Sequence, residues 1–358
     1  MKTKANSFLL RVEGRLNQYR GNVTQAAKKL MLLFGLVPPP FRIQIDITDQ
    51  CNFSCPTCSK WRETPSQKGL ELHEWLAVFN KIGAVPLLRE ISISGGEPFV
   101  HSELLEILRY AKRQDLRIVL ISNGWYVTRD VLQQLQTIGV DCLIVSLNSL
   151  QASVHDKSRN KPGSHERIMQ LVQDWRSLSR TMRLCLEMVV TEANYKELCD
   201  LARFVQEQEL NGILFQVLAP VEAHYTFSKN RQMPDTLNDW YVSDPSWIKD
   251  SELLHNEIIK LVNMQKHGVP ILNPPGQLRQ FPLYYKEPDL IRKIPCLGTL
   301  SRMYIDPFGD IRLCYGYPLI GNILQDDPKT VWKNEQARRI RLDSSECSRL
   351  CRMLNNNL

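Results

Sequence analysis

The sequence predicts an α/β protein built on a parallel sheet, a partial (β/α)6 TIM-like barrel open on one side. Two observations carry this. From residue 41, six short apolar segments alternate with amphipathic stretches whose apolar positions recur at helical spacing. Such alternation calls for right-handed crossovers and a parallel sheet, and six units are too few to close the eight of a complete barrel.

A helical extension over 1–40 precedes the barrel. Leu9, Leu10, Val12, Leu16 and Tyr19 interleave with Arg11, Arg15 and Arg20, and Asn22 or Thr24 is placed to cap a second helix. The apolar run from Leu30 to Val37 is far short of the ~20 residues of a membrane span. VPPP at 37–40 marks a stiff boundary. Strands are expected at 42–48, 90–95, 117–123, 142–148, 183–190 and 212–218, with helices at 71–83, 102–113, 128–138, 164–179 and 195–208, giving a barrel domain over 41–220. Residues 221–295 break the alternation and read as a linker or cap: a Trp/Pro/Asp-rich loop at 234–249, a helix at 251–267 and a Pro-rich stretch at 270–288. Residues 296–358 form a small C-terminal domain with a β-hairpin in SRMYIDPFGDIRLCYG, a basic helix at 328–342 and a cysteine-bearing tail.

With 43% hydrophobic and 23% charged residues, the 358-residue chain has the composition of a folded protein, not a disordered one. Its net charge of +7 is not concentrated in a dense basic patch with interleaved aromatics, so nucleic acid is not an expected partner. No transmembrane segment and no secretory signal are visible, which predicts a cytoplasmic, reducing location. Clustered cysteines there read as metal ligands before disulfides.

The cysteines sort into two groups, leaving Cys142, Cys185 and Cys199 as buried thiols in apolar stretches. Cys51, Cys55 and Cys58 follow C-x3-C-x2-C directly after the first strand, and parallel sheets bind ligands at the carboxyl ends of their strands. Three thiolates on one short loop suit three corners of a [4Fe–4S] cubane and leave the fourth iron open. A zinc ion is the alternative and would need a fourth ligand nearby. Cys296 and Cys314 flank seventeen residues that read as the hairpin, and Cys347 and Cys351 follow as C-x3-C. Four thiols from a hairpin and a tail can saturate one [4Fe–4S] cluster, with structural zinc again the alternative.

Further motifs fall in order at the ends of successive strands: SGGEPF (94–99), SNG (122–124), VSLN (145–148) and then HDKSRNKPGSHERI (155–168). None is specific alone. With the cysteine triplet they resemble the radical S-adenosylmethionine (SAM) superfamily. The C-terminal region, with GDIRLC, IGNI and KTVWKNEQARRIR, resembles the twitch/SPASM auxiliary-cluster domain. The resemblance implies that SAM chelates the open iron and that the cluster cleaves it to a 5′-deoxyadenosyl radical, which takes hydrogen from a substrate. It implies that Gly95, Gly96 and Glu97 bind the SAM amino group. Ser122, Asn123, Ser146 and Asn148 would meet ribose or carboxylate, and Arg159 the carboxylate. Glu187, Val217 and Leu218 are weaker candidates. Thr57 departs from the family, which usually has an aromatic residue before the third cysteine; Trp61 or Phe53 is placed to compensate.

The expected activity is oxidation or rearrangement of a small polar molecule, with the auxiliary cluster as electron relay and a base drawn from His224, Tyr225 or Arg159. Radical modification of a ribosomally made peptide is the alternative, and a non-catalytic iron–sulfur or zinc-stapled binding protein the third reading. The expected reductant is an acidic electron donor such as flavodoxin or ferredoxin.

Overall fold

The computed structural model describes residues 30–31, 34, 36–58, 60–62, 68–85, 88, 90–179, 181–219, 235–292, 296–344, 346–347 and 350. Most of the predicted N-terminal extension, together with His224, Tyr225 and Cys351, lies outside them.

The six expected strands form one parallel sheet in sequence order: β1 (Arg42–Thr48), β2 (Glu90–Gly95), β3 (Arg117–Ser122), β4 (Cys142–Ser146), β5 (Arg183–Val190) and β6 (Gly212–Val217). Alternation of side chains decides the faces. Ile43, Ile45 and Ile47 of β1 join the main core under the helices. Val119, Cys142 and Cys185 form a separate apolar cluster with Ile121 and Ile144, which is the opposite, inner face of β3–β5.

The crossover helices are α1 (Leu72–Gly83), α2 (Leu104–Lys112), α3 (Arg129–Ile138), α4 (Ala152–Arg159), α5 (Ser164–Arg176) and α6 (Leu198–Glu207). In α1 a capping box of Glu71 and Glu74 starts the helix, and Trp75, Val78, Phe79 and Ile82 repeat at helical spacing to form its buried stripe. In α3 Thr128 Oγ1 accepts from Val131 N–H, and Gly139 at φ 86° ends the helix in the left-handed region. The predicted helix at 164–179 ends three residues early. Helix α4 was not anticipated: its polar HDKSR segment reads as loop, yet it buries His155 and carries Arg159 in its last turn.

Residues beyond β6 reinforce the sheet edge. Ile213 N–H donates to Pro270 O and Leu272 N–H to Ile213 O, while the buried Asn273 side chain pairs with both the N–H and the C=O of Phe215. One amide thus imitates a further strand. The helix α7 (Ser251–Lys266) packs on α6, and the Pro-rich stretch holds short helices at Pro275–Leu278, Phe281–Lys286 and Pro288–Arg292. Tyr284 and Tyr285 donate their hydroxyls to Leu218 O and Val190 O, each at 2.6 Å, satisfying carbonyls at the ends of β6 and β5.

The C-terminal hairpin does not form a sheet of its own. Its first strand, β7 (Arg302–Ile305), pairs in parallel with β1 from Arg42↔Arg302 to Ile45↔Ile305, and β8 (Asp310–Arg312) and β9 (Gly321–Asn322) continue outward. The loop that carries Cys51, Cys55 and Cys58 and the segment that carries Cys314, just after β8, therefore hang from one nine-stranded sheet. Lys81 at the end of α1 adds a clamp, its ammonium donating to the carbonyls of Ile323, Leu324 and Asp326. The predicted helix at 328–342 is two, α8 (Pro328–Lys333) and α9 (Glu335–Asp343), divided at Asn334, whose side chain caps the second. Among the described residues no helix is long and apolar enough to cross a membrane.

Candidate active site

The loop after β1 carries Cys51, Cys55 and Cys58 and is held by its own backbone. Cys58 N–H donates to Cys55 O at 3.1 Å, Phe53 N–H to Cys51 Sγ at 3.4 Å, and Trp61 Nε1–H to Cys55 O at 3.0 Å. From the far side Asn160 Nδ2 donates to Ser54 Oγ at 2.9 Å. Burial pushes the Cys51 thiol up to about 11, with Glu97, Cys55 and Cys58 adding to it. Cluster loading must therefore displace a proton from Cys51. Among the described residues no three His, Cys, Asp or Glu side chains gather closely enough to hold a single metal ion.

Gly95 and Gly96 bring β2 against this loop, backbone on backbone. Gly96 N–H donates to Thr48 O and Glu97 N–H to Gln50 O, both at 2.8 Å. A Cβ on Gly96 would lie 2.0 Å from Gln50 O.

Glu97 lies beneath the loop as a buried hub. It accepts from Ser122 Oγ at 2.8 Å, Asn123 N–H at 2.7 Å and Phe99 N–H at 3.3 Å. Burial raises its pKa against these bonds and the charge of Arg159. Asn123 in turn donates from Nδ2 to Asn52 Oδ1 at 2.8 Å and accepts from Trp125 N–H. Ser122 and Asn123 thus brace the cysteine loop from below.

Asn148 is also engaged within the protein. Its side chain donates to Ser158 Oγ and accepts from Val189 N–H, and its own N–H donates to His155 Nδ1. Burial, then the charges of Arg159 and His165, lowers the His155 pKa to about 3, which keeps that ring neutral as an acceptor. Ser146, by contrast, is half-buried at the end of β4, opposite Glu187 of β5 in the strand register.

Arg159 reaches the loop from α4. Its guanidinium carbon lies 5.7 Å from the Phe53 ring centroid, and its charge opposes the rise that burial imposes on the Cys55 thiol. Two buried nitrogens here, Arg159 Nε and Asn52 Nδ2, lack a hydrogen-bond partner among the described residues. Buried donors of this kind call for a ligand or water acceptor. Beside three thiols and a glycine-lined strand end, they fit the carboxylate of SAM on a cubane cluster. Asn52 escaped the sequence reading, although its place directly after Cys51 was the available signal.

The sequence reading also missed Asp46, 1% exposed on β1. Ser94 Oγ donates to its Oδ1 at 2.7 Å; Lys60 Nζ at 2.7 Å and Tyr315 OH at 3.2 Å donate to its Oδ2. Lys60 stands two residues after Cys58, and Tyr315 one after Cys314. One carboxylate therefore joins the two cysteine regions. In the second, Gly316 N–H donates to Cys314 Sγ at 3.4 Å; Cys296 and Cys347 are half-buried. Asp46→Asn removes the charge facing a buried ammonium, and losing one partner of such a pair costs about 3 kcal/mol. Urea unfolding of the metal-free protein is expected to show that loss. A change below about 0.5 kcal/mol, the range of ordinary surface substitutions, would mean that the pair is not structural.

A family model described as the radical SAM superfamily matches residues 45–205, and one described as an iron-sulfur cluster-binding domain, SPASM, matches residues 296–353. The AdoMet-dependent heme synthase of Methanosarcina barkeri is 23% identical over 331 residues, 89% of this chain and 89% of that protein. The antilisterial bacteriocin subtilosin biosynthesis protein AlbA of Bacillus subtilis is 21% identical over 85% of this chain, a match spanning 62% of its own length. Streptococcus suis SuiB, solved with its precursor peptide SuiA, superposes with a TM-score of 0.65 at 14% identity, over 88% of this chain and 70% of that one. That likeness shows the fold.

Proposed function

We propose that this chain, which belongs to the radical SAM superfamily and carries a C-terminal SPASM domain, removes a hydrogen atom from a small polar substrate; in an oxidation the remaining proton would leave to a base, and the auxiliary cluster, when bound, would supply the acceptor for the electron. Its cofactors are SAM and [4Fe–4S] clusters. When bound, the first cluster supplies the electron that cleaves SAM to a 5′-deoxyadenosyl radical.

In this reading Cys51, Cys55 and Cys58 hold the SAM-binding cluster, and Cys296, Cys314, Cys347 and Cys351 the auxiliary one. Arg159 and Asn52 address the SAM carboxylate, and the Gly95–Glu97 strand end its amino group. Ser122, Asn123 and Asn148 act by holding that frame in place, and Ser146 faces the ribose side.

What supports a polar substrate is the polar cluster of Asp46, Lys60, Ser94 and Tyr315 that ties the cysteine loop to the residue after Cys314. Such convergent polar groups orient a ligand through hydrogen bonds. A relative matched over 89% of its own length is named for heme synthesis, a small-molecule product. Modification of a ribosomally made peptide is the second reading, favoured by the Bacillus subtilis relative, named for bacteriocin biosynthesis.

The test is anaerobic reconstitution followed by SAM and dithionite. About eight irons per chain, the content of two cubanes, and release of 5′-deoxyadenosine are expected. Zinc without sulfide, or a fully loaded protein that releases none, would leave a metal-stapled binding protein.

A further inference from the structure

The positive charge of the chain is unevenly placed. Residues 1–40 hold seven Lys or Arg and a single acid, Glu13, so they carry +6 of the net +7, and everything after them is close to neutral. Those cations fall within 2–29, outside the described residues, and their number is a fact of the sequence. They stand among apolar residues instead of forming the dense stripe that tracks the phosphates of a nucleic acid.

The described residues that follow Lys28 and Lys29 are apolar and uncovered. Phe34 N–H donates to Leu30 O at 3.1 Å and Leu36 N–H to Met31 O at 2.9 Å, the closing turn of a helix. Leu30 and Phe34, four residues apart, share one face of that turn. Leu30, Phe34, Leu36 and Phe41 are each more than half exposed, Phe34 at 71%. Four of the nine large apolar residues exposed among the described residues thus fall within twelve positions. Scattered singly they would call for no explanation; gathered, they mark a contact surface. The segment is tied to the body: Trp332 Nε1–H of α8 donates to Pro38 O at 2.8 Å, Phe41 N–H to Ser301 O at 2.9 Å, and Val37 packs on the core. Acids on the elements around it are matched. Glu90 pairs with Arg42, Glu335 with Arg338 and Arg339, and exposed Asp327 at the start of α8 is offset by Lys329 and Lys333 of that helix. The positive excess therefore belongs to the segment itself.

We propose that residues 1–41 are the contact by which this protein lies on an anionic phospholipid bilayer. Each cation near such a surface raises affinity about fivefold, and Leu30, Phe34, Leu36 and Phe41 enter the boundary between head groups and acyl chains. The apolar run from Leu30 to Val37 is too short to span, so the contact is peripheral. A second copy of the chain would cover the same apolar face but would bring like charge against like. The inference is independent of the reaction proposed above.

The experiment is flotation of the full, iron-loaded chain with vesicles of phosphatidylcholine, alone and with phosphatidylglycerol added. Binding to the anionic vesicles is expected to exceed that to the neutral ones by about tenfold or more and to weaken as salt is raised. Lys28→Glu with Lys29→Glu, and separately Leu30→Ser with Phe34→Ser, should each lower it by about tenfold or more, with iron content and thermal unfolding unchanged. Lys28→Gln with Lys29→Gln should fall between. Equal binding to both vesicles, binding to neither, or loss in the charge variants with none in the apolar pair would overturn the lipid contact. So would a wild-type dimer in sedimentation that Leu30→Ser with Phe34→Ser returns to monomer, which would give the face to a second copy.

Discussion

Cys55→Ala is expected to abolish reductive cleavage of SAM while leaving the chain folded and about half loaded with iron. Cys55 is buried within a loop whose turns are closed by main-chain bonds and by Trp61 and Asn160, none of which uses its sulfur. The substitution therefore removes a ligand and little else. With two thiolates left, the first cubane would lose a corner, whereas in the proposed assignment the second would draw its ligands from another part of the chain. Iron should fall from about eight to about four per chain, and deoxyadenosine to the background without protein. Full iron with persistent cleavage would mean that the thiol is not a ligand; loss of all iron would mean that the two sites assemble together.

That independence rests on an architecture the sequence disclosed only in part. The six barrel strands were legible because apolar alternation is a local signal: each needs one face in the core, and RIQIDIT or RLCLEMVV states that within a few residues. The pairing of β1 with β7 joins residues some 260 positions apart, and no periodicity encodes a partner at that distance. Helix α4 was missed for a related reason. Its polar sequence buries little, and tertiary contacts through His155 and Arg159 override its weak propensity.

At the site the residue types were legible and their partners were not. Glu97, Ser122, Asn123 and Asn148 read as cofactor contacts; the fold adds that they bond to Asn52 and Ser158, to nearby main chain and, for Glu97 and Ser122, to each other. Asp46 was invisible because an acid on the inner face of a strand looks like any alternating polar residue. Only the fold brings Lys60 and Tyr315 to it.

The sharpest structural prediction concerns Gly96. Its alanine Cβ would stand 2.0 Å from Gln50 O, 2.4 Å from Gln50 C and 2.8 Å from Asp49 O. These are main-chain atoms of the cysteine loop, so no side-chain rotation relieves the clash. Either the loop moves away from β2, breaking the Glu97 N–H bond to Gln50 O, or β2 itself bends. Overpacking of this kind costs about 3 kcal/mol or more. Gly163→Ala is the matched control. Gly163 has φ +80° but nothing within 4 Å of its would-be Cβ, so that change carries only conformational strain, about 1 kcal/mol. Urea unfolding of the two metal-free variants should therefore separate by about 2 kcal/mol, the difference between those two costs. Gly96→Ala should also lose the iron of the first cluster, because the displaced loop carries Cys51, while Gly163→Ala keeps it. Equal stability of the two variants would mean that the loop yields freely, and the close backbone approach of β2 could no longer be what fixes the cysteines in place.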